Sequence, residues 1–598
     1  MSSETHSTDS TSSLQAGSGQ ARQCQNCKQN FVIEPDDFAF YERIKVPAPT
    51  WCPKCRLIRR IVWLNSLNLF KRKCDAPGHE EEIISKYSPQ SNRKVYDEKY
   101  WWSDAWDPFS YGKEYDFSRS FLSQFGELME NVPQKNLDNV NSVNCGFCAS
   151  AVECKDCYLC IGSYKSERCL YGDTVTMSKN CVDNYFIVGS ELVYKSIDCS
   201  KCFMVSFASF CTDCMYSSFI YDCKNCSYCF GCAGLRNKKY CIFNEQYTKE
   251  EYEKKIREFY PTNGILLKKT LEIFGELLLK IPRKYALITH SVNCTGDVIE
   301  NSKDCKSCFW ITGGAENCKL AVCGGFGLKD SRDVYSGGGQ SEMLYEVVTS
   351  GLGCKNISFS GRIQQSMDIK YSIDCYGSSN LFGCVGLRSK SYCILNKQYT
   401  KEEYEAFVPK IIEHMSQNPY VDKVGREYRY GEFFPMELSH FPYNGSTAQE
   451  HFPKTKEEAE KAGYVWRQEI EKDYIPSKKS EDVLIDISDI PDSITEEIIE
   501  CAHKGECNDI CVKAFRITPD ELQFHRKMNI VLPVLCPNCR HMEFIRQRNP
   551  LKLWHRQCMC NKPGHSHKSR CPNEFETSYS PKRKEVVYCE SCYNAEVV

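Results

Sequence analysis

Small and apolar side chains recur at every third position between residues 142 and 241. From Ser142 to Cys241 these positions carry mostly Cys, Ser, Ala, Val and Ile, whereas Asp, Asn, Lys, Tyr and Phe stand between them. A period of three is neither the 3.6 of a helix nor the 2 of a flat strand. It predicts a narrow β-solenoid in which short strands alternate with tight corners and every third side chain points inward.

Cysteine supplies much of this inward phase. All sixteen cysteines between residues 142 and 241 lie in it, and Cys-x-x-Cys pairs recur every twelve residues from Cys199 to Cys226. Twelve residues then form one coil, and equivalent residues of successive coils stack about 4.8 Å apart, so Phe207 is expected over Phe219. Buried free cysteine packs as a small hydrophobe, and the thiols need no metal. Metal held between stacked pairs, or stacked disulfides, are the alternative interpretations.

The middle of the chain is a duplication. The matching segments are Phe125–Cys145 with Phe274–Cys294 and Phe230–Glu253 with Phe382–Glu405. In the second unit the inward phase slips by one near Gly314 and is resumed from Tyr345, where Val, Ile, Leu and Ser fill most positions. A metal site would not tolerate that replacement, which argues against metal as the reason for the repeat.

Helices flank each unit. Amphipathic patterns predict helices near 118–131 and 265–280, and charged helices follow Thr248 and Thr400, whose Thr-Lys-Glu-Glu sequences are typical of capping boxes. A shorter helix is predicted at 456–462.

The two ends of the chain carry copies of one cysteine-rich module. Residues 27–56 align without a gap with residues 511–540, and the next cysteine follows at Cys74 and Cys558. Each close cysteine pair offers two thiolates at one point, and two pairs complete a closed tetrahedral zinc site. Both ends are therefore predicted to be zinc-ribbon or treble-clef modules that hold structural zinc.

The predicted ligands form three groups, which corresponds to about three zinc ions per chain. The N-terminal group is Cys24, Cys27, Cys52 and Cys55. The first C-terminal group is Cys507, Cys511, Cys536 and Cys539, and Cys501 is a competing ligand. The second C-terminal group is Cys571, Cys589 and Cys592 with either Cys558 or Cys560, and the substitutes are His565 and His567.

The N-terminal counterpart of that last group is degenerate. The alignment pairs His79 with Cys571, Asp97 with Cys589 and Tyr100 with Cys592. Cys74, His79 and Asp97 are the residues left to hold a metal, and loss of this site is the favoured interpretation. The tract YWWSDAWDP is expected to pack as an aromatic plug.

Composition places these elements in a multidomain, β-rich chain. The 598 residues include 40 cysteines, and the net charge of −2 provides no global basic field for nucleic acid. Many cysteines in a long chain without an apolar signal core indicate metal and a cytoplasmic location, and no apolar run long enough to span a membrane occurs. The predicted domains are a disordered tail at 1–20, an N-terminal zinc module at 21–112, helix/β-solenoid repeats at 113–256 and 257–420, an irregular linker region at 421–492 and a C-terminal double zinc module at 493–598.

Several motifs carry a resemblance to known families. The stretch CQNC…FVIEPDDFAFY…PAPTWCPKCR resembles a zinc-ribbon, or treble-clef, domain family. With WWSDAWDP, YGKEYDFSRSF, KKYCIFNEQYTKEEYE and CPNEFETSYSP, the wider chain is similar to a family of uncharacterised cysteine-rich proteins of candidate-phyla bacteria. The resemblance covers most of residues 21–598 and implies zinc-binding ends but no particular activity. Asp97 and Tyr100 depart from the family pattern, which has a Cys pair there.

Three classes of function fit these patterns. The favoured class is a non-enzymatic structural or interaction protein with zinc-stabilised ends and a repeat scaffold, whose partner is unknown. The second is an RNA-, DNA- or ribosome-associated protein, because the basic stretches 54–73 and 540–556 lie beside the zinc turns. Its candidate contacts are Arg56, Arg59, Arg60, Lys71, Arg72, Lys73, Arg540, Arg546, Arg548 and Arg556. The third is an enzyme or a metal or redox handling protein, although no phosphate-cradling loop or dinucleotide fingerprint is found.

Overall fold

The computed structural model describes residues 19–65, 67–468, 475–565 and 567–597. Residues 1–18 of the predicted disordered tail lie outside these ranges, and Gln20 begins the first strand. The described chain is multidomain and rich in strands, with cysteine clusters at both ends.

The N-terminal module (residues 20–102) contains two hairpins, each followed by a helix or helices. The first hairpin, Gln20–Gln23 with Asn30–Ile33, precedes α1 (Pro35–Arg43) and α2 (Pro53–Ile61). The second hairpin, Phe70–Lys73 with Glu82–Ser85, precedes the strand Val95–Tyr96 and α3 (Glu98–Trp102). Proline begins α1 and α2 because the first helical position needs no amide hydrogen.

The first stack (residues 151–246) follows α4 (Phe121–Asn131) and the short strand Gln134–Lys135. Its successive strands are parallel and pair at an offset of twelve residues, as Val205 does with Ser217, which confirms the predicted period. The rings of Phe207 and Phe219 stack with centroids 4.4 Å apart, as expected. The strands are Ala151–Val152, Ser163–Tyr164, Asp173–Thr176, Val182–Val188, Glu191–Ser200, Phe203–Ser209, Met215–Tyr221, Ser227–Ala233 and Lys239–Ile242, with Glu245–Gln246 antiparallel at the end.

Corners of left-handed backbone produce the period of three. One twelve-residue coil has φ angles of 50°, 52°, 50° and 52° at Asp198, Lys201, Met204 and Phe207. Residues that are not glycine rarely adopt this conformation, so its regular recurrence marks a constrained backbone. In this coil the residue after each corner is buried, and these residues are Cys199, Cys202, Val205 and Ala208.

The second stack (residues 288–398) follows α5 (Lys249–Lys255), α6 (Gly264–Lys280) and the short strand Arg283–Lys284, and ends before α7 (Lys401–Gln417). The capping boxes of Thr248 and Thr400 are present. The strands are Ile288–Thr289, Gly296–Glu300, Cys308–Thr312, Ala315–Glu316, Val322–Gly325, Leu328–Lys329, Arg332–Gly337, Glu342–Ser350, Lys355–Ile363, Met367–Lys370, Ser379–Phe382 and Ser391–Ile394, with Lys397–Gln398 antiparallel at the end.

Coil length differs between the stacks. In the second stack Phe309 pairs with Val322 and Tyr345 with Ser358, an offset of thirteen. The inward phase therefore shifts in each such coil, and glycine corners such as Gly314 (φ 91°) accommodate the additional residue. This corrects the predicted phase from Tyr345: its neighbour Leu344 lines the stack interior, whereas Tyr345 faces the N-terminal module.

Two groups of elements follow α7, and the second of them, the C-terminal module, repeats the element order of the N-terminal module. A small hairpin, Tyr420–Val421 with Glu427–Tyr428, precedes α8 (Thr447–His451) and α9 (Lys456–Lys461). The C-terminal module (residues 499–597) has the hairpin Ile499–Glu500 with Ala514–Phe515, α10 (Pro519–Met528), α11 (Pro537–Gln547), the hairpin Trp554–Gln557 with Glu574–Thr577, the strand Val587–Tyr588 and α12 (Glu590–Val597). Short 3₁₀ helices span Pro108–Tyr111, Ile256–Glu258, Met436–Leu438, Tyr443–Gly445, Ser480–Val483, Ile487–Asp489 and Asp492–Glu496.

The modules and stacks pack in a crossed arrangement. Helix α2 of the N-terminal module lies against the second stack, and α11 of the C-terminal module lies against the first. The strands Val95–Tyr96 and Val587–Tyr588 pair in parallel with Gln134–Lys135 and Arg283–Lys284, which lead into the first and second stacks. Each module therefore touches both repeats.

Candidate metal centres

The N-terminal module brings four thiols together at the end of its first hairpin. Cys24 and Cys27 lie in the turn between the strands, Cys52 caps α2, and Cys55 lies in the first turn of that helix. Their sulfur atoms all lie within 4.8 Å of one another. The Sγ atoms of Cys27 and Cys52 are 3.8 Å apart, which matches the edge of about 3.8 Å expected for a tetrahedron with Zn–S bonds of about 2.3 Å.

Donors around this site stabilise thiolate. The backbone N–H of Cys52 donates to Cys24 Sγ at 3.2 Å, and the Asn26 amide donates to Cys55 Sγ at 3.2 Å. Hydrogen bonds from the thiols of Cys52 and Cys55 lower the pKa of Cys24 far below its ordinary value. Because thiolate is the form that binds metal, the arrangement suits a soft cation such as zinc.

The first hairpin of the C-terminal module holds a matching group. Its four members, all within 4.8 Å of one another, are Cys501, Cys511, Cys536 and Cys539. The backbone N–H of Cys536 donates to Cys501 Sγ at 3.3 Å, as Cys52 does to Cys24. Cys501 directly follows the strand Ile499–Glu500, which is the position that Cys24 has after its own strand.

This group differs from the prediction in one ligand. Cys507 was expected where the structure has Cys501, and it stands in a neighbouring group with His503, Asp509 and Cys539. The loop that leads to Cys511 is longer than its N-terminal counterpart, so the spacing between cysteines does not identify the thiol that faces the site. That thiol is the one that directly follows the hairpin strand. The sequence signal that could have identified Cys501 as the ligand is the strand-forming segment directly before it.

The second hairpin of the C-terminal module brings together Cys558, Cys571, Cys589 and Cys592. Cys571 and Cys589 have their sulfur atoms 3.8 Å apart, and the N–H of Cys589 donates to Cys558 Sγ at 3.2 Å. Burial opposes ionisation of Cys589, but hydrogen bonds from the Ser591 hydroxyl and the backbone outweigh it and lower the pKa to about 6. Cys560, the predicted alternative to Cys558, lies instead in an adjoining group.

The degenerate site in the N-terminal module retains the framework without the ligands. The N–H of Asp97 donates to Cys74 Sγ at 3.2 Å, which is the bond that Cys589 makes to Cys558. The Asp97 carboxylate, however, accepts from the N–H of Lys99 and caps α3, and the His79 ring packs edge-on against Tyr100 at 4.8 Å. Within the described ranges, no group of three or more metal ligands includes these residues.

The predicted aromatic plug lies beside this degenerate site. Trp101 is fully buried and packs against Trp102, Trp106 and Tyr376.

Six of the ten candidate nucleic-acid contacts are buried, which corrects the prediction that they face a ligand. They are Arg56, Arg59, Arg60, Arg72, Arg540 and Arg548. Arg59 donates to Glu346 at 2.8 Å and to Glu432 at 2.6 Å. These partners lie hundreds of residues away in the chain, so no local pattern reveals them. Lys71, Lys73, Arg546 and Arg556 keep some exposure, and Arg546 is paired with Asp509.

The buried arginines of α2 form a balanced network with two acids of the second stack and with Glu432, which follows α7. Arg56 donates to Asp333 at 2.8 Å, and Arg60 donates to the other oxygen of the same carboxylate at 3.2 Å. Burial raises the pKa of Asp333, but these two guanidinium groups outweigh it and hold the pKa below its ordinary value. With Glu346 and Glu432, three carboxylates face three arginines, so the buried charge is compensated.

The cysteines of the stacks serve the backbone. Cys202 Sγ lies 3.4 Å from the carbonyl oxygen of Ser200 and 3.8 Å from that of Cys211, and inward serines make equivalent bonds. Burial raises the pKa of Cys393 to about 12, so this thiol stays protonated and donates. Among the described residues, the groups of three or more clustered ligands include no cysteine of either stack, and all 40 cysteines are free thiols.

Comparisons with known proteins add little to this picture. No protein-family model and no curated protein matches the chain. A solved structure from Desulfovibrio desulfuricans G20, provisionally described as an acetyltransferase, is 11% identical over 49% of this chain and 74% of that one, with a TM-score of 0.11. A similarity this low carries no argument. Of the helices in the described ranges, none has both the length and the apolar character needed to cross a bilayer.

Proposed function

We propose that the protein is a zinc-stabilised structural and interaction protein that holds zinc in three four-thiol sites. The observation that carries the proposal is the recurrence of one geometry: a thiol after a hairpin strand accepts an N–H bond from the cysteine that opens a helix or precedes one. All four sulfurs at each site are protein ligands, which leaves no coordination position for water and makes the sites structural. A hairpin that faces the first turn of a helix supports the zinc-ribbon or treble-clef assignment.

We further infer that the two strand stacks are β-solenoids with a small, largely cysteine-lined interior in the first. Parallel pairing at an offset of one coil and a corner at every third residue support this architecture. Stacks of this kind are rigid surfaces that suit interaction with other molecules. The boundaries at 21–112, 113–256, 257–420, 421–492 and 493–598 remain our proposed domain limits.

Zinc is proposed to act on the stacks through the helices that it anchors. Cys52 caps α2, and the same helix carries Arg56 and Arg59 into the second stack. Cys536 caps α11, which carries Arg540 to Asp183 in the first stack, with Nη1 and Oδ2 2.5 Å apart. Metal binding supplies folding free energy to both modules, and the arginines transmit it to the repeats.

The first test is the zinc content of the full chain, purified without added metal under reducing conditions and measured by native mass spectrometry. Cys52→Ser and Cys536→Ser are each expected to lower the count by one, because each removes one ligand from a separate site. Cys294→Ser, which changes a partly exposed thiol at the start of the second stack, is the matched control and should leave the count unchanged. A count that neither site variant changes would contradict the proposal.

Hydrogen exchange tests the coupling between zinc and the stacks. After chelation of zinc, amides of α2 and of the strand Arg332–Gly337 are expected to exchange faster, because Arg56 and Arg60 lose their anchor beside Asp333. Unchanged protection of that strand would show that zinc stabilises the module alone.

A further inference from the structure

A second set of metal ligands adjoins the last four-thiol site of the C-terminal module. Cys560, His565, His567 and Cys592 place their ligand atoms within 4.8 Å of one another. Cys592 belongs to this set and also to the four-thiol set completed by Cys558. One sulfur atom therefore borders two ligand clusters.

Both histidines are held in the manner of metal ligands. His565 Nδ1 lies 3.1 Å from Cys560 Sγ, while its other nitrogen lies 3.1 Å from a carboxylate oxygen of Glu596. His567 Nε2 lies 3.4 Å from Cys592 Sγ, while its Nδ1 lies 2.5 Å from the carbonyl oxygen of Ser569. Ligating histidines almost always donate their second ring N–H to a carboxylate or a backbone carbonyl, and this pair provides one example of each.

The cluster is protected from solvent where the thiols lie. Cys560 is fully buried and Cys592 is 1% exposed, and the His565 side chain is 10% exposed. The N–H of Cys571 donates to the Cys560 carbonyl oxygen at 2.9 Å, which fixes the loop that carries Cys560 beside the first site. The Cys560 thiol and the two oriented imidazoles therefore lie beside one another and beside the Cys592 sulfur.

We propose that these residues form a binuclear zinc centre in which the Cys592 thiolate bridges two ions. The proposal rests on the proposed function, because the four-thiol site is one half of the centre. Seven side chains then supply eight coordination positions, since Cys592 counts twice, and each zinc is tetrahedral. Five thiolates and two zinc ions carry a net charge of −1, against −2 for one zinc with four thiolates. The thiol protons leave to solvent as metal binds.

The corresponding group beside Cys539 is not included in the proposal. Its carboxylate, Asp509, lies 2.5 Å from the Arg546 guanidinium and is therefore already neutralised. A cation there would compete with a bound arginine, whereas the Cys560 group contains no such competitor.

Zinc counting on the full chain tests the bridged centre. The wild-type chain is expected to hold four zinc ions, and His565→Ala with His567→Ala is expected to hold three while it remains folded. His555→Ala, at an exposed histidine that binds only Glu574 and Glu576, is the control and should keep four. A wild-type count of three that the double variant leaves unchanged overturns the bridged centre but not the three-site proposal; loss of zinc from Cys52→Ser and Cys536→Ser tests the latter separately.

Cadmium-113 substitution provides a test that needs no variant. Two cadmium ions joined through Cys592 are expected to give a pair of mutually coupled resonances, one from a four-sulfur and one from a two-sulfur, two-nitrogen environment. Resonances without coupling, all of four-sulfur type, would overturn the proposal even if the double variant failed to fold.

Discussion

The two terminal modules share one framework, yet they differ in how many candidate metal ligands that framework brings together. Cys558 in the C-terminal module belongs to a four-thiol group, whereas its counterpart Cys74 accepts the N–H of Asp97, and His79 packs against Tyr100. The N–H···S bond is 3.2 Å long in both modules, from Asp97 to Cys74 in one and from Cys589 to Cys558 in the other. The hairpin and helix therefore have matching geometry in the two modules, whereas in the N-terminal module a helix cap and aromatic packing occupy the positions aligned with cysteines of the C-terminal group.

The modules also differ in how they hold the stacks. The N-terminal helix α2 uses three arginines, whereas in α11 only Arg540 is retained, bound to Asp183 and to Glu521 at 2.9 Å. The positions of Arg59 and Arg60 are taken by Glu543 and Phe544, and Phe544 packs against Tyr185. One contact is therefore mainly ionic and the other partly apolar, although both helices start at a cysteine of a four-thiol site.

Paired substitutions of Cys558 and Cys74 would show the largest difference between the modules. Cys558→Ser is expected to remove zinc and to lower the free energy of unfolding of the C-terminal module by more than about 5 kcal/mol, because metal binding is folding free energy there. Cys74→Ser is expected to cost about 1 kcal/mol and no zinc. Urea titrations combined with zinc counting check this prediction. If both variants lose equal amounts of stability and zinc, the interpretation that the N-terminal counterpart no longer binds zinc is contradicted.

Removal of one arginine from each contact is expected to have the next largest effect. Arg540→Ala leaves Asp183 and Glu521 buried without their shared cation, and we expect the unfolding free energy to fall by about 3–5 kcal/mol. Arg59→Ala is expected at the lower end of that range, because Arg60 remains 3.6 Å from Glu346. Lys54→Ala, at an exposed position of α2, is the control and should stay within about 0.5 kcal/mol. If Arg59→Ala costs more than Arg540→Ala, the arginines of α2 do not compensate for one another.

Acid is expected to weaken the C-terminal module through a residue that the N-terminal module lacks. Burial lowers the pKa of His525 to about 4, whereas the aligned residue, Tyr41, is neutral. His525 takes up a proton near pH 6.5 in the unfolded chain but only near pH 4 in the folded chain. Its contribution to the free energy of unfolding is therefore complete above pH 6.5 and is lost as the pH falls to 4. The loss is at most about 3–4 kcal/mol.

Swapping that residue isolates the contribution. His525→Tyr is expected to flatten the fall in unfolding free energy between pH 6.5 and 4, measured by urea titration at several pH values. His290→Ala, at an exposed histidine, is the control and should leave the slope as it is. An unchanged slope in His525→Tyr would show that other groups account for the acid sensitivity.

Restoring ligands at the degenerate site is expected to have the smallest effect on stability. Asp97→Cys combined with Tyr100→Cys adds two thiols beside Cys74 and His79, enough for a three-sulfur, one-nitrogen zinc site. We expect one additional zinc per chain by native mass spectrometry. Without zinc, loss of the helix cap is expected to lower the free energy of unfolding by about 1 kcal/mol. An unaltered zinc count would mean that the aromatic plug has closed the site.

Local patterns in the sequence predicted a large part of the fold. The inward phase of three, the twelve-residue period and the capping boxes of Thr248 and Thr400 are consequences of side-chain size and backbone preference within a few residues. Helices predicted near 118–131 and 265–280 correspond to α4 and α6. The four N-terminal cysteines lie together in the structure, since a hairpin turn and the start of a helix each bring two neighbouring cysteines to one point. Their role as zinc ligands stays a prediction.

The local periodicity of the stacks and the cysteine clusters at both ends follow from short segments of the chain and were therefore predictable. The packing of distant segments, in contrast, places Cys501 where Cys507 was expected and separates Cys560 from Cys558. The same holds for Arg59, which looked like a surface cation beside a zinc turn but is buried against Glu346, 287 residues away in the chain. The physical reason is that burial and charge pairing depend on which distant segments meet, and no spacing within one segment encodes that meeting.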